Sequence, residues 1–160
     1  MTNDKIYIFD TTLRDGAQTQ GVDFSIDDKI KIAHALDDLG VDYIEGGWPG
    51  ANPTDTEFFQ KNTNLKNSIM TAFGMTKKVG RSADNDPGLS SILNSNTRAV
   101  CLVGKTWDFH VDVALGISKE ENIENISEST KLFVKEKKEF MFDAEHFFDG
   151  YKSNSKYALE

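Results

Sequence analysis

The chain has 160 residues, with 18 Lys and Arg against 26 Asp and Glu, giving a formal net charge of −8. That balance argues against a nucleic-acid binder and against docking on an anionic membrane, because both need a basic surface; no run approaches the roughly 20 apolar residues of a membrane span, and the N-terminus lacks the apolar core of a signal peptide. With 38% hydrophobic residues and 11 Phe the chain is too apolar to remain unfolded, and its lone Cys101 can form no internal disulfide, so the expectation is a folded, soluble protein of the cytoplasm.

Short apolar runs alternate with helical patterns along the chain. The first predicted strand is Ile6 to Phe9, followed by a helix capped by Ser25, with an apolar stripe at Ile26, Ile30, Ala33, Leu36 and Leu39, and an end at Gly40. Val41 to Ile44 reads as the second strand, and Asn52-Pro53 as an N-cap with proline at the first helical position, leading to Phe58 and Phe59. The third strand is Ser68 to Phe73, then a short helix around Leu89 to Leu93 after the turn-rich Asn85-Asp-Pro-Gly88. The fourth strand is Arg98 to Val103, and Ser118 to Glu121 fits a capping box before Ile123, Ile126 and Phe133. Glu139 to Phe142 is the fifth strand, and residues 154 to 160 open a further helix. The strands begin 27 to 41 residues apart, the spacing of a strand plus a crossover helix. The fold class is therefore α/β with a parallel sheet, either open and doubly wound or closed as a barrel. A barrel normally needs about 250 residues, so length alone suits the open form.

In parallel α/β folds the C-terminal ends of the strands gather the active site, so the loops at Phe9 to Gln18, Glu45 to Gly50, Gly104 to His110 and Asp143 to Gly150 are the places for chemistry. Arg14 next to Asp15 sets a cation beside a hard oxygen ligand. Asp15 suits Mg²⁺ or Mn²⁺, and Arg14 suits a substrate carboxylate or a developing oxyanion. The plainer alternative is a salt-bridged pair in a turn. Glu45, Asp143 and Glu145 add carboxylates for acid–base work, against the alternative of solvent-facing loop acids. Gly46, Gly47 and Gly50 match neither a P-loop nor a dinucleotide fingerprint and read as turn glycines. His34 falls inside a helix pattern, whereas His110 and His146 fall in strand-end loops and are the better candidates. No H-x-H or H-E-x-x-H pair occurs and Cys101 stands alone mid-strand, so a complete metal site cannot be assembled from these residues.

The stretch Phe9-Asp-Thr-Thr-Leu-Arg-Asp-Gly-Ala-Gln18 resembles the signature of a metal-dependent TIM-barrel superfamily, that of 2-isopropylmalate, homocitrate and citramalate synthases and hydroxymethylglutaryl-CoA lyase. Val41 to Pro53, Gly104 to His110 and Asp143 to Lys152 are similar to the citramalate synthase branch, and the likeness runs from about residue 5 to the end. The resemblance implies an acyltransferase that condenses acetyl-CoA with pyruvate, with 2-isopropylmalate or homocitrate synthesis as the alternative. Asp15 would ligate a divalent metal (Mg²⁺, Mn²⁺ or Zn²⁺). Arg14 would hold the keto oxygen, and Gln18, Glu45, His110 and Asp143 would line the substrate pocket. Glu145 would be the catalytic carboxylate for enolisation.

The family's other metal ligands form an H-x-H pair on the seventh barrel strand, which is not among these residues. The resemblance therefore implies that residues 1–160 are the N-terminal part of a (β/α)8 barrel, a partial pyruvate carboxyltransferase-like domain of about five strands and four helices, truncated after strand five. Its metal site would be incomplete and its own activity slight, or it would act only as an assembly piece. Open sheet edges imply self-association into a homo-oligomer.

Overall fold

The computed structural model describes residues 5–61 and 63–160. Its strands are β1 (Phe9–Asp10), β2 (Tyr43–Gly47), β3 (Ile69–Met75), β4 (Ala99–Lys105) and β5 (Glu139–Glu145). All neighbours are parallel, in the order β1-β2-β3-β4-β5. That order decides between the two α/β architectures. A doubly wound sheet reverses its strand order partway, whereas right-handed crossovers taken always in the same direction lay the helices on one face and curl the sheet. The five strands form a curled half-barrel, and the open, doubly wound form that length alone suits is excluded.

The helices are α1 (Ile26–Leu39), α2 (Pro53–Gln60), α3 (Pro87–Asn94), α4 (Asp108–His110), α5 (Lys119–Lys135), α6 (Phe147–Ser153) and α7 (Ser155–Leu159), and α4 runs on into a π-helical turn at Val111–Leu115. Local chemistry explains most of their boundaries. Ser25 and Asp28 form a reciprocal capping box at α1, and Gly40 closes that helix at φ 88°. The Asn52 side chain accepts from the Asp55 N–H at 2.7 Å, and Asp86 accepts from the Gly88 and Leu89 N–H groups at the start of α3. Ser118 accepts from the Glu121 N–H at 3.1 Å to start α5.

Strand alternation then divides the sheet into two faces. Ala72, Val100 and Leu102 point outward and are buried with Leu89 and Ile92 of α3 and Leu132 and Phe133 of α5. Ile44 packs with Leu13, Ala33, Val41 and Phe58 beneath α1 and α2. The inner face carries Glu45, Thr71, Phe73 and Cys101, all buried within the curl, and further along it Asp143 and Glu145.

Several expectations are corrected. The first strand covers only Phe9–Asp10, and Ile6, Tyr7 and Ile8 are exposed; the Ile8 N–H donates to the Asp42 side chain and not to a neighbouring strand. Leu39, placed on the buried stripe by its spacing, is 77% exposed at the last turn of α1. Seven α-helices are described: the four expected, the further helix at the end (α7), and α4 and α6, where the stretches after β4 and β5 are expected to be loops. Among the described residues no helix is long and apolar enough to cross a membrane.

Asp37 ties α1 to the entry of β3. Its buried carboxylate accepts from the backbone N–H groups of Lys66, Asn67 and Ser68 at 2.7–2.8 Å. Burial pushes this carboxyl up, but the three backbone donors and the Ser68 side chain outweigh it and bring it down to about 2. A carboxyl depressed on folding contributes stability that is complete above the unfolded value of about 4 and is lost as pH falls towards 2. Asp37→Asn is therefore expected to cost about 2 kcal/mol at pH 7. The gap from wild type should narrow between pH 4 and pH 2 in urea unfolding. A gap that stays constant over that window would mean the charge is not what stabilises.

Candidate active site

The site grows from the end of β2. There the pairing with β3 shifts register between Glu45 and Gly47, which turns the chain outward. Gly46 and Gly47 belong to this strand end and not to a turn, correcting the sequence reading. A Cβ on Gly46 would lie 2.6 Å from Met70 Sδ, and Gly47 sits at φ +148° with Asp55 pressed against it. Gly50, at φ +85°, is the turn glycine of the three. Lys29, buried beneath, donates to the Gly46 carbonyl at 3.0 Å and pairs with Asp55, whose carboxylate also accepts from the Trp48 N–H at 2.9 Å.

Glu45 is 1% exposed, and its Oε2 accepts from Arg14 Nε at 2.7 Å. Arg14 also reaches Asp15 at 3.2 Å and stacks on the Phe73 ring at 3.9 Å. Phe73 in turn meets Trp48 edge-to-face. One guanidinium is thus fixed by a buried carboxylate on one side and an aromatic face below, while Asp15 remains mostly exposed. The bare salt-bridge alternative for Arg14 and Asp15 is incomplete, because the closer partner of Arg14 is Glu45, 31 residues away. Burial pushes the Glu45 carboxyl up, the Arg14 hydrogen bond and charge pull it back, and the negative charges of Asp143 and Asp15 add to the rise. Asp143 and Asp15 are therefore electrostatic neighbours of Glu45. Burial, together with Glu45 and Asp143, raises the Cys101 thiol to about 12, so this cysteine is no thiolate nucleophile.

A second group lies at the ends of β4 and β5. Lys105 and Glu145 are register partners and form an ion pair. Both line a cavity of about 500 Å³ that Trp48 also borders. Beyond it, the rings of Trp107 and His146 lie 4.6 and 5.8 Å from those of His110 and Trp107 respectively, and His146 meets His110 edge-to-face at 4.6 Å. The Nδ1 atom of His110 is buried with no hydrogen-bond partner among the described residues. Such a nitrogen is costly unless something polar is there to meet it.

The structure brings Arg14, Asp15, Glu45 and Asp143 together, and gathers Glu145 with Lys105 in the neighbouring cavity. Gln18 is exposed and shares a separate groove of about 430 Å³ with Arg14 and Trp48. His34 is exposed on α1. Lys105 and Trp48 were legible only as members of strand-end motifs; their cue was position, the last residue of β4 and the first beyond β2. Among the described residues no three His, Cys, Asp or Glu side chains are grouped to hold a metal ion. Asp15 offers one accessible hard carboxylate, fit to serve as a single ligand of a divalent ion and insufficient alone.

Against known proteins, the chain is 52% identical over 98% of its length to an (R)-citramalate synthase of Aquifex aeolicus (strain VF5), and 46% identical over 97% to that of Geobacter sulfurreducens. It spans 30% of the length of each. In structure it is similar to hydroxymethylglutaryl-CoA lyase from Pseudomonas aeruginosa, with a TM-score of 0.67 at 17% identity, over 86% of this chain and 45% of that one. That likeness carries the barrel fold. The HMGL-like family profile covers residues 5–155, the whole of the half-barrel together with the strand-end loops that hold its polar residues, and this chain belongs to the HMGL-like family.

Proposed function

We propose that residues 1–160 form part of the catalytic domain of a citramalate synthase, joining acetyl-CoA to pyruvate to yield citramalate and CoA. The observation that carries this reading is the Arg14 guanidinium, fixed by Glu45 and Phe73 beside Asp15 at the strand ends. The acetyl methyl group loses a proton to a carboxylate, and its carbon bonds to the keto carbon of pyruvate. The carbonyl electron pair moves to oxygen, which takes up a proton and so balances the one the carboxylate removed; water then gives its hydroxyl to the thioester carbon and its proton to sulfur as the CoA thiol leaves. Arg14 binds the keto oxygen and stabilises its developing negative charge. Its fixed position means that little reorganisation is needed as that charge forms. Glu145 takes the methyl proton. Gln18, which shares a groove with Arg14, and Asp143, on the inner face of the sheet, would line the substrate pocket, and the unpartnered Nδ1 of His110 supports a polar contact to substrate. Asp15 would be one ligand of a divalent metal (Mg²⁺, Mn²⁺ or Zn²⁺), the others coming from outside residues 1–160. When bound, that ion supplies Lewis-acid stabilisation of the keto oxygen.

Function in the cytoplasm and as a homo-oligomer belongs to the same proposal. The exposed edge of β1, beside the uncovered Ile6, Tyr7 and Ile8, supports further pairing or packing there. The test is release of free CoA from acetyl-CoA and pyruvate with added Mg²⁺ or Mn²⁺. The full-length gene product carrying residues 1–160 should turn over, and residues 1–160 alone should give little or no turnover. Preference for 2-oxoisovalerate or 2-oxoglutarate would move the reading to the 2-isopropylmalate or homocitrate branch. No CoA release with any 2-oxo acid would overturn it.

A further inference from the structure

Lys105 ends β4, Glu145 ends β5, and their Cα atoms are partners in the β4–β5 ladder. Partners in a parallel ladder project from the same face, so the two side chains lie side by side at the mouth of the half-barrel. The Lys105 ammonium contacts Oε2 of Glu145, and among the described residues Oε1 has no such partner. Both ends of this pair are pinned through the backbone. Asn122, 1% exposed, donates from Nδ2 to the Lys105 carbonyl at 2.8 Å and to the Tyr157 hydroxyl at 2.7 Å. The Thr106 hydroxyl donates to the Glu145 carbonyl at 2.6 Å. The next residue, His146, then turns at φ 55° into α6, a conformation that non-glycine residues adopt at a cost. Thr106 thus ties the end of β4 to the end of β5, a buried amide anchors the end of β4 to Tyr157 of α7, and the ammonium spans the two strand ends.

An ion pair whose side chains are 19% and 33% exposed contributes only a small share of stability. Its place points to another use. A carboxylate that must take a proton from a poorly acidic methyl group has to be held in one orientation, and a misplacement of about 1 Å can cost about 100-fold in rate. We propose that Lys105 is a positioning residue for Glu145. Its ammonium grips Oε2 so that Oε1 is presented to the acyl-CoA methyl group in the cavity that both residues line. This inference rests on the role given to Glu145 above.

The test is made in the full-length gene product. Lys105→Met should lower kcat for CoA release about 100-fold, with KM for pyruvate and for acetyl-CoA changed less than about twofold. Lys105→Arg, which keeps a cation at that position, should recover most of the loss. In a Glu145→Gln background, Lys105→Met should have no further effect. A loss expressed as a raised KM for pyruvate would instead make Lys105 a ligand of the substrate carboxylate and overturn the inference, as would equal losses in both backgrounds. A double-mutant cycle on thermal unfolding reads the grip without turnover. The coupling expected of a partly exposed pair is small, so midpoints for the Lys105→Met and Glu145→Gln variants that depart from additivity by about 1 °C or more sustain it, and additive ones overturn it. If wild type releases no CoA with any 2-oxo acid, the proposed reaction fails, and the pair stands or falls on that unfolding cycle.

Discussion

Arg14→Ala is expected to lower kcat for CoA release by about 10³-fold and to destabilise the fold by about 3 kcal/mol. The two effects share one cause. In the proposed reaction Arg14 is the cation at the keto oxygen as it becomes negative, and in the structure it is the hydrogen-bonded partner of Glu45, which is 1% exposed. Removing it strips the oxyanion of a donor and leaves a buried carboxyl without its counter-charge. Glu45 should then hold its proton more tightly, because burial already pushes that carboxyl up and Arg14 is what pulls it back. Adding Glu45→Gln should return part of the lost stability, since a neutral amide needs no counter-charge, while leaving activity low. Arg14→Lys should restore little of either function, since an ammonium cannot spread donors to Glu45 and Asp15 as a guanidinium does, nor stack on Phe73 equally well. Steady-state kinetics and urea unfolding on the same four proteins check this. Near wild-type turnover in Arg14→Ala would remove Arg14 from the mechanism.

Glu145→Gln is expected to separate what Arg14 couples. It should lower kcat by about 10²- to 10⁴-fold, the range for losing a general base. Stability should change by less than about 1 kcal/mol, because the side chain is 33% exposed and its pair with Lys105 is open to solvent. The amide keeps the shape and much of the hydrogen bonding but cannot take the proton. Full-length protein with lost turnover and a stability change below about 1 kcal/mol would support the role of Glu145. Retained turnover would move the proton acceptor elsewhere, with Asp143 the next carboxylate on the same inner face.

Much of the architecture is legible in local chemistry. Ser25, Gly40, Asn52-Pro53 and Ser118 mark helix boundaries because a cap is made within three or four residues of itself. Strand cores such as Ala99 to Val103 are visible because a strand covered on both sides is nearly continuously apolar. Helix α6 is less legible for an equally physical reason. Phe147-Phe-Asp-Gly-Tyr-Lys-Ser153 is only 7 residues long, too short for the helical spacing of Phe147, Phe148 and Tyr151 to stand out as a stripe, and its Gly150 is placed by a contact from elsewhere, since a Cβ there would lie 2.3 Å from the Thr106 carbonyl. Leu39 errs the other way: two successive steps of three residues carry it about 120° round the helix from the buried Ala33, off the covered face, so it stays exposed.

The candidate site divides along the same line. Arg14, Asp15, Glu45, Asp143 and Glu145 are found from sequence, because polar residues just beyond apolar runs mark strand ends. Their partnerships are not, since Arg14 bonds to Glu45 across 31 positions and Lys105 meets Glu145 across 40. A lysine at the end of an apolar run carries no local sign that a carboxylate will stand beside it. The sequence by itself determined the α/β class, most strand and helix positions, the acidic balance and the strand-end loops, because each depends on a residue and its near neighbours. The resemblance already implied a partial barrel; only the tertiary structure decided the strand register that builds it, the burial of Glu45 and the grip of Lys105 on Glu145. These depend on the register between strands separated by a whole helix, where parallel pairing sets which side chains share a face.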